Sequence, residues 1–185
     1  MYCPACGRPL PHDPPVSCLD CGARHWHNAK PCAGALVVHR QRLLLVRRAH
    51  QPFLDAWDIP GGFCEAEEHP ARAAMREVFE ETGLRVRLIG FLGIWIDRYG
   101  DERDGGLPTI THNAYYHAVP AGGIATRLDP AEVAEAGWFE PEALPERLAF
   151  PDHSLAVLAA WRRAMRAGGT VTPLLDVVDR RDRPA

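Results

Sequence analysis

Gly62-Phe63-Cys64-Glu65-Ala66-Glu67-Glu68-His69-Pro70-Ala71-Arg72-Ala73-Ala74-Met75-Arg76-Glu77-Val78-Phe79-Glu80-Glu81-Thr82-Gly83-Leu84 carries the most informative pattern in the chain. Pro70 suits the first turn of a helix and Gly83 suits its C-terminal cap, so the spacing predicts a helix over 70–82. Ala71, Ala74, Met75 and Val78 recur at helical spacing and give that helix a core face. Glu77, Glu80 and Glu81 stand at i, i+3 and i+4, so three carboxylates project within an arc of about 100°. Like charges so placed oppose the helix by a few tenths of a kcal/mol per pair. A hard divalent cation reverses the sign, because Mg²⁺ prefers carboxylate oxygens. Arg76 stands beside this face and can orient a carboxylate. Gly61-Gly62 lets a backbone carbonyl come near the same ion. A lone Glu-Glu pair would more often be a solvated acidic face.

Outward from the helix, Ala33–Val38 and Leu43–Val46 are short apolar runs flanking His39-Arg40-Gln41, a β-hairpin pattern. Trp57 to Phe63 contains Pro60-Gly61-Gly62, a strand end followed by a tight loop. Arg85–Tyr99 reads as one or two strands, 100–108 as a polar loop, Thr109–Val119 as a strand and Glu135–Phe139 as a last short one. Leu155, Leu158, Ala159, Trp161 and Met165 mark a C-terminal helix ending near Gly168-Gly169. Asp179 to Ala185 reads as a charged, frayed end.

Composition narrows the classes. The 185 residues suit one main domain with a small accessory module. Hydrophobic residues at 46% and charged residues at 24% are ordinary for a globular chain. A net charge of −3 offers no bulk attraction for nucleic acid. No run approaches the roughly 18 apolar residues of a membrane helix, and the first residues lack the pattern of a signal peptide. The expectation is a cytoplasmic protein with reduced thiols.

The six cysteines then call for something other than disulfides. Cys3-Pro4-Ala5-Cys6-Gly7 and Cys18-Leu19-Asp20-Cys21-Gly22 are two C-x-x-C-G knuckles, and four thiolates match tetrahedral Zn²⁺. Each glycine would let the backbone turn and donate toward a thiolate. Residues 1 to about 30 cannot bury a core, so structural zinc would supply their folding energy. His25 and His27 read as non-ligands, and Cys32 and Cys64 as packed thiols.

Gly62, Glu68, Arg76-Glu77-Val78 and Glu80-Glu81-Thr82-Gly83-Leu84 together resemble the Nudix box at every fixed position. Seven positions there demand one residue type each. A chance match has odds below about one in a million at ordinary residue usage, which rejects the solvated-face reading. Leu43–Arg48, Trp57–Gly62, Glu132 and Glu135 ahead of Trp138-Phe139, and Pro141–Pro145 extend the resemblance over about residues 31–150. Small departures are Asp55, Cys64 and Glu67, none of them at a ligand position.

The resemblance implies an α/β fold: an α/β/α sandwich around a mixed sheet, preceded by a zinc ribbon. The divisions are 1–30 for the ribbon, 31–150 for the hydrolase domain, and 151–185 for the helix and tail. It implies a hydrolase, dependent on Mg²⁺ or Mn²⁺, cleaving a nucleoside diphosphate linked to another group. Glu77, Glu80, Glu81 and the Gly61 carbonyl would hold the metal, supported by Glu68 and Arg76. Glu132 and Glu135 are the candidates for general base. Trp95, Tyr99, Tyr115 and Tyr116 are candidates for stacking on a base, against the plainer reading of core or strand aromatics.

A ribbon joined to such a domain is similar to two subgroups. One comprises NADH pyrophosphatases, whose array after the box is absent here, since Leu84 is followed by Arg85-Val86-Arg87-Leu88-Ile89-Gly90. The other includes enzymes cleaving FAD and ADP-ribose, to which Asn28-Ala29-Lys30-Pro31 and Leu148-Ala149-Phe150 are similar. A proline common in ADP-ribose enzymes is replaced by Asp97-Arg98-Tyr99-Gly100. The substrate stays open among FAD, ADP-ribose, NADH and nucleoside triphosphates. Two rivals are a nucleotide-sugar sensor without catalysis and an RNA-processing enzyme. The box glutamates are intact, against the first, and the ribbon carries only Arg8, Arg24 and Lys30 as cations, against the second. Members with this layout are commonly homodimers.

Overall fold

The structure is a computed structural model, and it describes residues 1–99 and 109–167. The loop 100–108, the tail Asp179–Ala185 and the Tyr99 side chain lie outside the described residues. Among the described residues eleven elements follow one another: β1 Val16–Ser17, β2 Arg24–His25, β3 Lys30–His39, β4 Arg42–Arg48, β5 Trp57–Asp58, β6 Gly61–Phe63, α1 Pro70–Thr82, β7 Val86–Tyr99, β8 Thr109–Pro120, β9 Val133–Phe139 and α2 Pro151–Arg166.

The hairpin forms as its pattern predicts. β3 pairs antiparallel with β4 at Val38↔Leu43 and His39↔Arg42. Arg40 and Gln41 both take positive φ, 48° and 67°, which is what a two-residue turn matched to strand twist requires. β3 is long because it carries three partners: β4, β6 and, in parallel, β8 from Lys30↔Thr111 to Val37↔Ala118. Both edges of β3 are therefore paired and both its faces lie under helices, and Cys32–Val37 is a continuous buried run. The main sheet runs β5-β4-β3-β8-β7, with β9 on β4 and β6 on β3, and is mixed as expected. Arg85–Tyr99 resolves into one strand, with register shifts at Leu88/Gly90 and Phe91/Gly93.

Helix α1 has the predicted bounds. The His69 Nδ1 accepts from the Ala71 N–H at 3.1 Å, and Gly83, at φ 70°, donates to the Phe79 carbonyl. Its core face holds Ala71, Ala74 and Val78 as expected, joined by Ala73, while Met75 is only partly buried. Three alanines let the helix sit close against β3 and β8. On the other sheet face α2 brings Val157, Leu158 and Trp161 against Leu36, Leu43, Leu45 and Tyr115. Burying side chains of that size stabilises by about 1.5–3 kcal/mol each. Leu155 belongs to the helix but not to its core face; it is 58% exposed. The α/β/α sandwich is thus two apolar layers on one mixed sheet.

Among the described residues no helix is long and apolar enough to cross a membrane.

Candidate active site

The two knuckles meet as the spacing predicts. Cys3 Sγ lies 3.7 Å from Cys21 Sγ, and Cys6 Sγ lies 3.7 Å from Cys18 Sγ. All four sulfurs fall within 4.8 Å of one another. A tetrahedron with Zn–S bonds of about 2.3 Å has edges of about 3.8 Å, so the quartet fits zinc. Gly7 and Gly22 take φ of 73° and 74°. Their N–H groups reach the carbonyls of Cys3 and Cys18, at 2.8 and 2.9 Å, so they close the turn rather than donate to a thiolate. His25 completes no tetrahedron, yet its Nε2 lies 3.1 Å from Cys3 Sγ, the position of an outer partner.

Arg76 organises the acidic helix. Its Nε and Nη2 grip Glu68 at 3.0 and 2.8 Å, and its Nη1 reaches Glu77 at 2.9 Å and Glu80 at 2.7 Å. Nη2 also donates to the Phe63 carbonyl, tying the helix to β6. These carboxylates hold the guanidinium charged, Glu68 most strongly. Gly62 is required beside them, since a Cβ there would lie 2.6 Å from the Glu77 carboxylate.

The three metal-type glutamates part company at this point. Glu77 and Glu81 line a cavity of about 280 Å³ together with Gly61, Gly62, Asp58 and Glu132. Glu80 is held outside that lining by Arg76, its side chain 52% exposed. Glu81 is half-buried, but its Oε2 is fully enclosed and has no partner among the described residues. Burial raises its pKa well above the ordinary carboxylate value, with Asp58, Glu77 and Glu132 adding to the effect. Burial likewise raises Glu77, against the pull of Arg76. A buried, orphaned carboxylate oxygen among other carboxylates is the chemistry a hard divalent cation relieves. These residues therefore fit a Mg²⁺ or Mn²⁺ ion.

Glu132 and Glu135 separate cleanly. Glu132 lines the cavity, whereas Glu135 sits opposite Arg47 in the β4–β9 ladder and pairs with its Nε at 3.1 Å. Trp95 packs edge-on against Tyr115 at 6.0 Å within the α2-side core and does not line the cavity.

Several lining residues escaped the motif. Arg48 pairs with Asp58 at 3.2 Å, both side chains nearly buried, and lays its guanidinium over the Phe150 ring at 5.2 Å. Asp58 Oδ1 accepts from the Ile59 N–H, and burial raises the carboxyl against the Arg48 charge. Asp97, Thr111, Asn113, Tyr115 and His153 complete the wall from β7, β8 and α2. Alternation on β7 would turn Ile94 and Ile96 inward, yet both are exposed and Asp97 takes the cavity side. Cys32 lines the cavity as a neutral thiol, pushed by burial up to about 12, and Cys64 is pushed up to about 11.

A model of the NUDIX domain matches residues 29–159. A MutT-like protein from Streptomyces ambofaciens is 32% identical over 117 residues, covering 63% of this chain and 67% of that one. The NAD-capped RNA hydrolase NudC of Citrobacter koseri is 26% identical over 148 residues, 78% of this chain. The chain spans about half, 53%, of the length of that relative. A NUDIX hydrolase from Nitrosomonas europaea superposes with a TM-score of 0.71 at 23% identity, over 94% of this chain and 96% of the other. The NUDIX domain of Shewanella oneidensis NrtR, solved with ADP ribose, superposes at 0.55 and 24% identity, over 74% of this chain and 89% of the other. The sequence pattern, the layered fold and the acidic cavity agree with these likenesses, and the chain belongs to the NUDIX family.

Proposed function

We propose that this chain is a hydrolase, dependent on Mg²⁺ or Mn²⁺, that cleaves the diphosphate bond of a nucleoside diphosphate linked to a second moiety and releases a nucleoside monophosphate. The observation carrying it is the buried, unpartnered Glu81 Oε2 in a cavity shared with Glu77 and Gly61. Glu77, Glu81 and the Gly61 carbonyl would hold the cation, with Glu80 joining on release from Arg76. When bound, the cation neutralises diphosphate oxygens and lowers the pKa of a water. The chain itself orients the carboxylates through Arg76 and Glu68. Glu132 accepts the proton of the attacking water at its carboxylate. Arg48 offers a guanidinium to a phosphate oxygen at the cavity wall. Structural zinc at Cys3, Cys6, Cys18 and Cys21 holds the ribbon.

The division into ribbon 1–30, hydrolase domain 31–150 and helix with tail 151–185 goes with this reading, although His153 makes α2 part of the site wall. Similarity to an enzyme named for NAD-capped RNA and to a domain solved with ADP ribose supports a dinucleotide-like substrate. The latter also keeps a second reading, a sensor that binds without cleaving.

The test is release of nucleoside monophosphate from FAD, ADP-ribose, NADH and nucleoside triphosphates, with and without Mg²⁺. Metal-dependent release from one of them is the expected result. Tight binding of one member with no turnover of any would overturn the hydrolase reading and install the sensor.

A further inference from the structure

Asp97, Thr111, Asn113, Tyr115 and His153 line the cavity from β7, β8 and α2, and the carboxylates of α1 leave them without a task. Their hydrogens can be followed atom by atom. Asp97 Oδ2 lies 2.9 Å from His153 Nδ1, and a carboxylate only accepts, so Nδ1 carries the hydrogen. Nε2 of the neutral ring is then the acceptor, and the Tyr115 hydroxyl donates to it at 2.8 Å. Burial keeps that hydroxyl protonated, with Asp58, Cys32 and Asp97 adding to the effect.

Asn113 Nδ2 lies 3.3 Å from the Trp95 carbonyl, which can only accept, and this fixes the orientation of the amide. The same nitrogen donates to Thr111 Oγ1 at 2.9 Å. The Thr111 hydroxyl passes its own hydrogen to the Asp97 carbonyl at 3.4 Å. Every polar hydrogen of these five side chains is therefore engaged inside the protein. What remains is acceptor capacity: the second oxygen of Asp97, Oδ1 of Asn113 and lone pairs on Tyr115 and Thr111.

A phosphate oxygen cannot satisfy such a wall, because it too only accepts, and Asp97 would repel it. A hydroxylated group can, because each hydroxyl brings a hydrogen. We propose that this wall is the subsite for a sugar or polyol unit linked to the diphosphate, with Asp97 and Asn113 accepting its hydroxyl hydrogens and His153 acting as a positioning residue that holds Asp97 and Tyr115. The inference rests on the proposed hydrolase reading for the place of the diphosphate. It favours a nucleoside diphosphate carrying a hydroxylated group over a nucleoside triphosphate.

Calorimetric affinities of the full chain for ADP-ribose, ADP and ATP test it, beside the Asp97→Asn and His153→Gln variants. The expected result is that ADP-ribose binds about tenfold to a hundredfold tighter than ADP, the margin of one or two charge-assisted hydrogen bonds. Asp97→Asn should remove most of that margin, leave ADP unchanged and strengthen ATP, since the new amide can donate. His153→Gln should shrink the margin without changing ADP. Equal binding of ADP and ADP-ribose by the native chain, equal losses for both ligands in the variants, or no binding of either would overturn the subsite. Selective binding of ADP-ribose without turnover would sink the hydrolase reading and leave the subsite standing. Turnover without that selectivity would do the reverse.

Discussion

Arg76 grips Glu68 through two nitrogens, Nε to Oε1 at 3.0 Å and Nη2 to Oε2 at 2.8 Å, and the Glu68 side chain is only 4% exposed. Removing the guanidinium would leave a nearly buried carboxylate uncompensated, a loss of about 3–5 kcal/mol for such pairs. Arg76→Ala should therefore lower the thermal midpoint by roughly 2–4 °C for each kcal/mol lost. Arg76→Lys, which keeps the charge and loses the fork, should recover only part of it. A midpoint unchanged in Arg76→Ala would show that the pair positions the carboxylates without stabilising the helix.

Glu81 gives the opposite sign. Its buried charge faces Asp58, Glu77 and Glu132, so metal-free protein should gain about 1–2 kcal/mol when Glu81→Gln removes it. The same variant should lose the stabilisation that Mg²⁺ gives the native chain, and turnover should fall by at least about a hundredfold. Thermal melts with and without Mg²⁺ check both halves. A variant that still responds to Mg²⁺ like the native chain would remove Glu81 from the metal site.

Glu132 stands just before β9 and lines the cavity, whereas Glu135 lies on β9 and pairs with Arg47. Glu132→Gln should lower kcat by roughly 10²–10⁴ with little change in KM, the mark of a lost general base. Glu135→Gln, which only breaks an exposed pair with Arg47, should change activity little and stability by less than about 1 kcal/mol. The reverse order of effects would move the base to the β9 side.

The box was legible because its residues answer to one local geometry, a capped helix with three carboxylates on one face. The hairpin at Arg40-Gln41 and the cysteine knuckles were legible for the same reason. Asp58, Asp97 and His153 were not. Asp97 and His153 are 56 positions apart, and only the packing of α2 across the sheet brings them within 2.9 Å. Glu80 shows the reverse limit: helical periodicity put it with Glu77 and Glu81, but a neighbouring guanidinium draws it away.

His117 sets a pH dependence. It is 3% exposed, its Nε2 lacks a partner among the described residues, and burial lowers its pKa. The unfolded chain would protonate this ring near the ordinary value of about 6.5, before the folded chain does. The stability it contributes is full above that value and is lost as pH falls toward the depressed folded pKa. Denaturant titrations between pH 7.5 and 5, ranges set around that reference value, should show a slope that His117→Gln reduces. An identical slope in the variant would assign the acid loss to other groups.

The ribbon should separate from the rest of the chain when its metal is removed. Four thiolates within 4.8 Å of one another repel once uncompensated, and residues 1–30 have little apolar burial beyond Cys3, Val16 and Cys18. Cys18→Ser should take zinc content from one to none per chain and expose the amides of that segment to exchange, while α1 and the main sheet keep their protection. His25→Ala should leave the stoichiometry intact and weaken zinc by about tenfold to a hundredfold, because the imidazole steadies the Cys3 sulfur from outside the tetrahedron. Loss of zinc altogether in His25→Ala would instead make that histidine a ligand and one cysteine dispensable.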